Sequence, residues 1–385
     1  MVSKITQPSH VYFGKGAITK IHEIIEKEHV KKVLVITDEG LIEANLVSTL
    51  TDELNKNSDI EYTVFSDVKA EPSYMDAQKA VDFLNGKKVD MIIGIGGGSV
   101  MDIAKLCSVL KDSGHSVHDL LSDPACVVKK VKSVMIPSTC GTGSEATCNA
   151  IVAIPEENSK KGIVNEEMIP DYVILEARMI EKLPNQLIAA TGVDALAHAV
   201  ECATSKKATE LSNTYALRAC ELIFPNIRKA YKDADDIEAK EKMQLGAYYG
   251  GVAITGSGTT AVHALSYPLG GRYHISHGVS NAILFAHVME YNREYCKEDL
   301  ARICDVVYPE YSEKSSDEKS SIVIRDIADI VKQTGIPTDL SGFNVTISDI
   351  DNLVDAGSKQ TRLLVNNKRE LNLEDIRNIY GKILV

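Results

Sequence analysis

Short apolar runs alternate with helical patterns over the first half of the chain. The runs are rich in β-branched residues and span residues 32–37, 62–65, 89–95, 133–137 and 172–175. Patterns with helical periodicity lie between them, over residues 16–26, 75–84 and 100–110. Strands that alternate with helices predict an α/β domain built on a parallel sheet.

The pattern changes after Lys182. Pro184 is followed by long segments with a period of 3.6 and few strand signals, which predict a nearly all-helical second domain. The last segment carries one apolar stripe, Ile376, Ile379, Tyr380 and Ile383, and Asn372 with Asp375 predicts a capped start. We therefore expect two domains, residues 1–180 and residues 181–385.

Composition and charge exclude several classes of protein. Of the 385 residues, 44% are hydrophobic and 25% are charged, as in ordinary globular proteins, and the length suits two cores. The net charge is -12 without a basic block, which argues against a nucleic-acid partner. The first 16 residues contain no apolar run typical of a signal peptide or membrane span, so we expect a cytoplasmic protein. The eight cysteines form no CxxC pair, and we expect them to be reduced.

Four of the ten histidines, His263, His274, His277 and His287, lie within residues 255–287. A single histidine on an apolar face is usually a hydrogen-bonded core residue. Three histidines within fifteen residues favour a metal site instead, because neutral imidazole is the commonest ligand of transition metals. The glycines of this stretch allow the backbone to bend so that the rings converge.

Asp194 and His198 supply a second pair of candidate ligands. They are four residues apart, so on a helix both side chains lie on one face. The alternative is an acidic residue near a helix start and an ordinary helical histidine. Together with the histidine cluster, the pair predicts a site for Fe(II) or Zn(II) that leaves one position for substrate.

A glycine-rich turn, GIGGGSVMDIAK at residues 94–105, joins a predicted strand to a predicted helix. Backbone amides at such a turn can bind a diphosphate. We expect Ser99 to cap the helix and Asp102 to complete a capping box. The turn departs from the GxGxxG fingerprint because residue 99 is serine, and a plain tight turn is the alternative.

A second polar turn, IPSTCGTGSEAT at residues 136–147, offers the hydroxyl groups of Thr139, Thr142 and Ser144. A loop without a ligand is the alternative interpretation. Asp38 follows the first predicted strand, where a carboxylate can bind an adenosine ribose and repel a 2′-phosphate. It is otherwise an ordinary turn residue.

The motifs GGGSVMDIAK, IPSTCGTGSEAT, ATGVDALAHAVE and HALSYPLGGRYHISHGVSNAIL resemble those of the iron-dependent, group III alcohol dehydrogenases over nearly the whole chain. The resemblance implies a dinucleotide-binding α/β domain, an all-helical metal-binding domain and NAD in the cleft between them, as in the dehydroquinate synthase-like fold. It implies the metal ligands Asp194, His198, His263 and His277. It places the diphosphate of the cofactor at Gly96, Gly97, Gly98 and Ser99, the rest of the cofactor along Thr139, Thr142 and Ser144, and Lys160 near the ribose.

One position departs from the family pattern. Many members have a second histidine four residues after the one that matches His263, and this chain has Tyr267. That histidine is associated with proton transfer near the metal. His274 and Tyr267 are the candidates for this role here, and the alternative for His274 is a residue that orients a metal ligand through a hydrogen bond.

The resemblance implies hydride transfer between NAD(H) and a short-chain alcohol or aldehyde. The motifs and the C-terminal run look most like the branch that includes 4-hydroxybutyrate dehydrogenase, which acts on 4-hydroxybutyrate and succinate semialdehyde. A buried substrate carboxylate needs a cationic partner, and Arg272 and Arg362 are candidates. The alternatives are plain alcohols such as butanol or 1,3-propanediol, a zinc-dependent enzyme resembling glycerol dehydrogenase or dehydroquinate synthase, and a non-catalytic scaffold. The family also implies a homodimer or a higher homo-oligomer, through the strand near residues 11–13.

Overall fold

A six-stranded parallel sheet forms the centre of the first domain in the computed structural model, which describes residues 2–384. The strands of this sheet are β1 (His10–Phe13), β2 (Lys32–Ile36), β3 (Glu61–Phe65), β4 (Met91–Gly96), β5 (Lys132–Pro137) and β8 (Tyr172–Leu175). Their order is β1, β8, β5, β4, β2, β3. The five predicted strands are confirmed to within two residues at each end, and β1 adds the edge beside β8.

Helices cover both faces of this sheet. Val33 and Val35 pack into one apolar cluster, and Leu34 and Ile36 pack into another on the opposite face. Because successive side chains of a strand point to opposite faces, both faces must be apolar, which explains the continuous apolar runs.

The helices of the first domain follow the predicted pattern. They are α1 (Ile21–Lys27), α2 (Glu39–Glu43), α3 (Ser48–Leu54), α4 (Tyr74–Leu84), α5 (Gly98–Leu110) and α6 (Val117–Ser122). The helix predicted at residues 16–26 divides into a 3-10 turn, Ala17–Lys20, and α1. Further 3-10 turns are Pro124–Cys126, Ser144–Ala146, Pro155–Glu157 and Glu166–Met168.

An antiparallel hairpin, β6 (Asn149–Ile154) and β7 (Ser159–Val164), is an element that the sequence analysis missed. It forms a second, two-stranded sheet. Buried and partly buried residues alternate along β6, so the hairpin packs one face on the domain and turns the other outward. The outward face lines the cavities described below.

The residues described from Arg178 onward form helices and turns without a strand, as predicted. The helices are α7 (Arg178–Glu181), α8 (Asn185–Thr204), α9 (Glu210–Lys232), α10 (Ile237–Ser257), α11 (Ala261–Tyr273), α12 (His277–Val307), α13 (Ser316–Gln333), α14 (Ile350–Ser358), α15 (Thr361–Leu364) and α16 (Leu373–Gly381). Helix α12 is kinked at Cys296, and α16 begins with the predicted capping box of Asn372 and Asp375. The change from sheet to helix falls between β8 and α7, and we propose the domain boundary near residue 180.

The sheet topology places three turns at one edge. Strand β4 lies between β2 and β5, and all three are parallel, so their carboxyl ends lie side by side. The helical part packs against this edge: the backbone N–H of His277 donates to Glu71 Oε1 at 3.1 Å. Gly143 packs directly on Gly251 of α10, where no side chain fits between the two backbones. A cleft between the sheet edge and the helices results.

Candidate metal and cofactor site

Four predicted side chains converge at the bottom of this cleft. Helix α8 carries Asp194 and His198 one turn apart, α11 carries His263, and His277 is the first residue of α12. The Nε2 atoms of His198, His263 and His277 lie 3.9, 3.6 and 3.5 Å from Asp194 Oδ1. One ligand atom from each of the four side chains lies within 4.8 Å of the other three. The structure therefore brings the four predicted ligands together.

The charge states of these groups suit a cation. Burial raises the pKa of Asp194, but the three imidazoles outweigh burial and hold it well below its usual range. Burial lowers the pKa of His198, and it lowers that of His277 to about 3. Asp194 is thus an anion and His198 and His277 are neutral, as metal ligands must be.

Helix α8 is the only described helix long and apolar enough to cross a membrane, but 83% of its apolar stretch is buried inside the fold. It is a core helix, and the polar groups it carries need partners within the fold.

Asn281 supplies one of these partners, because its Nδ2 donates to Asp194 Oδ1 at 2.6 Å. The same atom lies 3.2 and 3.3 Å from Nε2 of His263 and His277.

These contacts test whether the site fits a metal ion. Two imidazole nitrogens and a carboxylate oxygen face one small polar group, and Asn281 Oδ1 is buried without a hydrogen-bond partner among residues 2–384. One carboxylate with three imidazoles is a ligand set for a divalent first-row metal. The residues present fit an iron or a zinc ion.

Glu201 is a functional candidate that the sequence analysis missed. It is fully buried, and its Oε2 accepts a hydrogen bond from His263 Nδ1. Burial lowers the pKa of His263, but the charges and hydrogen bonds of Glu201 and Asp194 outweigh burial and raise it to about 9. Glu201 lies one turn after His198 and two turns after Asp194, so its helical spacing was the available signal.

The first glycine-rich turn forms as predicted, but the helix that follows it lacks the predicted side-chain cap. Helix α5 begins at Gly98, and its N-cap is Gly97 without a side-chain cap. Ser99 Oγ instead accepts from the backbone N–H of Glu71 at 3.2 Å. The predicted capping box is wrong because Asp102 accepts hydrogen bonds from residues that are distant in sequence.

Asp102 holds the two turns and the hairpin together. It accepts hydrogen bonds from Ser144 Oγ at 2.5 Å and from the N–H of Ile151 at 2.9 Å. Its Oδ1 also lies 3.0 Å from Nζ of Lys105, which is fully buried. The second turn packs on the first at Gly98, where a Cβ would lie 2.7 Å from Thr142 Cγ2.

Two adjoining cavities follow the turns. One, of 830 Å³, is lined by Asp38, Gly97, Gly98, Ser99 and Thr139. The other, of 480 Å³, is lined by Gly98, Ser99, Thr142, Ser144, Lys160 and the four metal-ligand candidates. Gly98 and Ser99 line both, so the two cavities meet at the glycine-rich turn. Gly96 lies behind the turn, against Val100.

The surroundings of three predicted cofactor residues bear on their roles. Asp38 caps α2, because it accepts from the N–H of Leu41 at 3.0 Å. Thr139 Oγ1 is buried and has no hydrogen-bond partner in the described part of the chain, which suits a ligand acceptor or donor at that point. Lys160 Nζ lies 2.9 Å from Glu71 Oε1 at the mouth of the cleft.

Comparisons with known proteins agree with this geometry. Residues 8–177 match the family model for iron-containing alcohol dehydrogenase, and residues 188–384 match the model for the C-terminal part of the Fe-containing alcohol dehydrogenase family. The chain belongs to the iron-containing alcohol dehydrogenase family. This alcohol dehydrogenase is an NAD-dependent oxidoreductase whose family uses NAD(H) and a metal ion.

Individual relatives match most of its length. The enzyme is 35% identical to long-chain-alcohol dehydrogenase 1 of Geobacillus thermodenitrificans (strain NG80-2), over 98% of this chain and 96% of the relative. It is 32% identical to the 4-hydroxybutyrate dehydrogenase of Clostridium kluyveri, over 81% of this chain and 84% of the relative. A solved 1,3-propanediol oxidoreductase has a TM-score of 0.90 at 26% identity and full coverage of both chains.

The two proton-transfer candidates of this alcohol dehydrogenase lie in different places. Tyr267 is 5% exposed, lines the metal cavity, and its ring centre lies 5.9 Å from that of His277. His274 is exposed at the end of α11 with a φ of 55°, and it does not line the cavities described here. Of the two candidates, Tyr267 lies beside the metal-ligand cluster and His274 lies outside that cavity.

Proposed function

We propose that the enzyme interconverts a short-chain alcohol and its aldehyde with NAD(H), with 4-hydroxybutyrate and succinate semialdehyde as the substrate pair. The observation that carries the proposal is the continuous cavity that joins the glycine-rich turn to the four-ligand cluster. The 4-hydroxybutyrate dehydrogenase among its relatives supports the substrate pair.

The roles follow from the positions of the residues. We assign the metal to Asp194, His198, His263 and His277. We assign NAD(H) to Asp38, Gly96, Gly97, Gly98, Ser99, Thr139, Thr142, Ser144 and Lys160, with the adenosine end at Asp38. When bound, the metal supplies a Lewis acid at the substrate oxygen and the nicotinamide supplies or takes the hydride.

The protein side chains supply the rest of the site. Ile151, Ala153, Ile254 and Leu363 line the metal cavity with apolar surface, against which a short carbon chain can pack. Burial raises the pKa of Tyr267, so its phenol stays protonated at neutral pH and holds a proton beside the cluster.

A general dehydrogenase for butanol or 1,3-propanediol is the second candidate, and the 1,3-propanediol oxidoreductase among the solved structures favours it. The metal is iron in the first proposal, and zinc is the alternative because the same ligands bind both ions. Family membership favours the iron-type enzyme over the glycerol dehydrogenase type and over a non-catalytic scaffold.

We place the enzyme in the cytoplasm as a homo-oligomer. All eight cysteines are free, and seven of them are buried, which suits a reducing compartment. Strand β1 pairs only with β8, and its side chains Val11 and Phe13 are 38% and 48% exposed. A second copy that covers this edge would remove the exposed apolar surface from water.

NADH oxidation by anaerobically iron-loaded enzyme tests the proposed reaction. We expect turnover with succinate semialdehyde and slower turnover with butanal and 3-hydroxypropanal. The zinc-loaded enzyme is the matched sample that compares the two metals. If neither form oxidises NADH with any of the three aldehydes, the proposed function is wrong.

A further inference from the structure

Arg362 lies on α15 at the boundary between two cavities. One is the metal cavity, and the other is a 650 Å³ cavity between the β6–β7 hairpin and α14. Arg362, Tyr267 and Lys160 line both. Arg362 therefore presents its charge to the space in which the proposed substrate would lie.

The guanidinium group of Arg362 rests on the hairpin. It lies over Gly162 of β7, where an added Cβ would be 2.8 Å from Nη2. The Cδ1 atom of Ile151 would lie 3.1 Å from the same Cβ, so the group packs beside an apolar side chain of the metal cavity. The absence of a side chain at Gly162 is what leaves this position open.

Arg362 makes no ion pair within residues 2–384, and other cations near the site differ from it. Lys160 pairs with Glu71. Arg272 is exposed, lies 5.8 Å from the ring centre of Tyr273, and does not line the metal cavity. Lys207 also lines the metal cavity without an ion pair in the described chain, and it is the cation that the experiment must separate from Arg362.

Tyr267 connects Arg362 to the metal ligands. Its ring centre lies 5.9 Å from that of His277, and Tyr267 lines both cavities together with Arg362. The guanidinium group and the ligand cluster are therefore separated by about one side chain. A substrate of a few carbons spans that separation.

We propose that Arg362 binds a carboxylate at the far end of the substrate and makes this site selective for ω-hydroxy acids and their semialdehydes. The proposal deepens the proposed function and rests on it, because it requires the reacting oxygen to lie at the metal ligands. A planar guanidinium can bind a carboxylate through two parallel hydrogen bonds, and the pair costs least where the cation has no other acidic partner.

The selectivity is measured as the kcat/KM of succinate semialdehyde divided by that of butanal. The two aldehydes share four carbons and differ in the carboxylate. We expect a ratio of at least about 10 for the wild-type enzyme, because the carboxylate of succinate semialdehyde gains a charged hydrogen-bonded partner that butanal cannot use. In Arg362→Ala the ratio should fall to near 1. In Arg362→Lys it should be intermediate, because an ammonium group keeps the charge and loses the planar pair of donors.

A second variant displaces the guanidinium group of Arg362 without replacing the residue. Gly162→Ala places a methyl group 2.8 Å from Nη2, which is closer than packed atoms allow, and the flexible end of the arginine can move away at little cost in folding. We expect this variant to lower the ratio in the same direction as Arg362→Ala. Arg272→Ala is the matched control and should keep the wild-type ratio.

The outcomes separate the inference from the proposed function. If wild-type enzyme reduces butanal at least as well as succinate semialdehyde, or if Arg362→Ala keeps the wild-type ratio, Arg362 does not select the substrate although the dehydrogenase activity stands. A collapse of the ratio in Lys207→Ala and not in Arg362→Ala would also overturn the assignment. If no aldehyde supports NADH oxidation by the wild-type enzyme, the proposed function itself fails.

Discussion

Glu201 fixes the orientation of His263 in the ligand cluster. Its Oε2 accepts the hydrogen bond of His263 Nδ1, so Nε2, which lies 3.6 Å from Asp194 Oδ1, is the ring nitrogen left to bind a metal. Its Oε1 accepts from the N–H and the hydroxyl of Thr260 and from the N–H of Val262. A buried carboxylate thus joins the start of α11 to α8 and sets one imidazole tautomer.

Glu201→Gln should weaken metal binding by about 10- to 100-fold. The N–H and hydroxyl of Thr260 and the N–H of Val262 bind the amide oxygen of the glutamine. Its NH2 group therefore faces His263, and Nδ1 must accept a hydrogen bond. The proton then moves to Nε2, where it blocks the metal. Competition with a chelator measures the affinity.

Thr260→Val is the control for this prediction. It removes a hydroxyl donor to Glu201 but leaves the partner of His263 Nδ1 unchanged, so we expect less than about a 3-fold change in affinity. Equal metal affinities for Glu201→Gln and the wild-type enzyme would mean that the Glu201 contact does not govern the ligand.

Asp38 should make the enzyme prefer NADH to NADPH. A carboxylate that faces a 2′-phosphate is a like-charge pair that costs several kcal/mol. Because Asp38 also caps α2, Asp38→Asn is the informative variant: it removes the charge and keeps a capping oxygen. We expect the NADPH kcat/KM to rise in Asp38→Asn and in Asp38→Gly, with lower thermal stability only in the latter. A wild-type enzyme that uses NADPH equally well contradicts this assignment of Asp38.

Glu145 should make folding stability depend on pH. Burial raises its pKa to about 7 from the ordinary 4.5, so the folded state binds this proton more tightly than the unfolded state does. The native state is favoured at low pH, and its stability falls between pH 4.5 and 7, by at most about 3 kcal/mol. Glu145→Gln cannot titrate.

The unfolding temperature of Glu145→Gln, relative to that of the wild-type enzyme, should therefore increase between pH 5 and pH 8. The exposed Glu43→Gln should show no such trend. A difference that stays constant with pH rules out a raised pKa at Glu145.

Local patterns predicted the parts of the molecule that local interactions determine. The strands 32–37 and 172–175 were visible because strands buried on both faces are continuous apolar runs. Asp194 and His198 were visible because a helix places residues four apart on one face. The hairpin was missed because β6 is a short alternating strand that directly follows a polar turn, and its pairing with β7 is a contact that the local pattern does not show.

Tertiary contacts decided the remainder. Ser99 and Asp102 have the spacing of a capping box. The partners of Asp102 are nevertheless Ser144 and Ile151, which are distant in sequence. The spacing of Glu201 placed it on the ligand face, but only the approach of α11 gives it His263 as a partner. Arg272 and Arg362 are equivalent in sequence, and the position of α15 against β7 distinguishes them.

The metal content of His277→Ala tests the central claim most directly, namely that Asp194, His198, His263 and His277 hold one catalytic metal. Wild type, His277→Ala and the control His287→Ala, which lies on α12 outside the cluster, are loaded with iron anaerobically and dialysed. Metal analysis is paired with NADH binding and NADH oxidation. The account predicts that His277→Ala loses metal and turnover together and still binds NADH, while His287→Ala keeps all three. Full iron occupancy with near-native turnover in His277→Ala would contradict it.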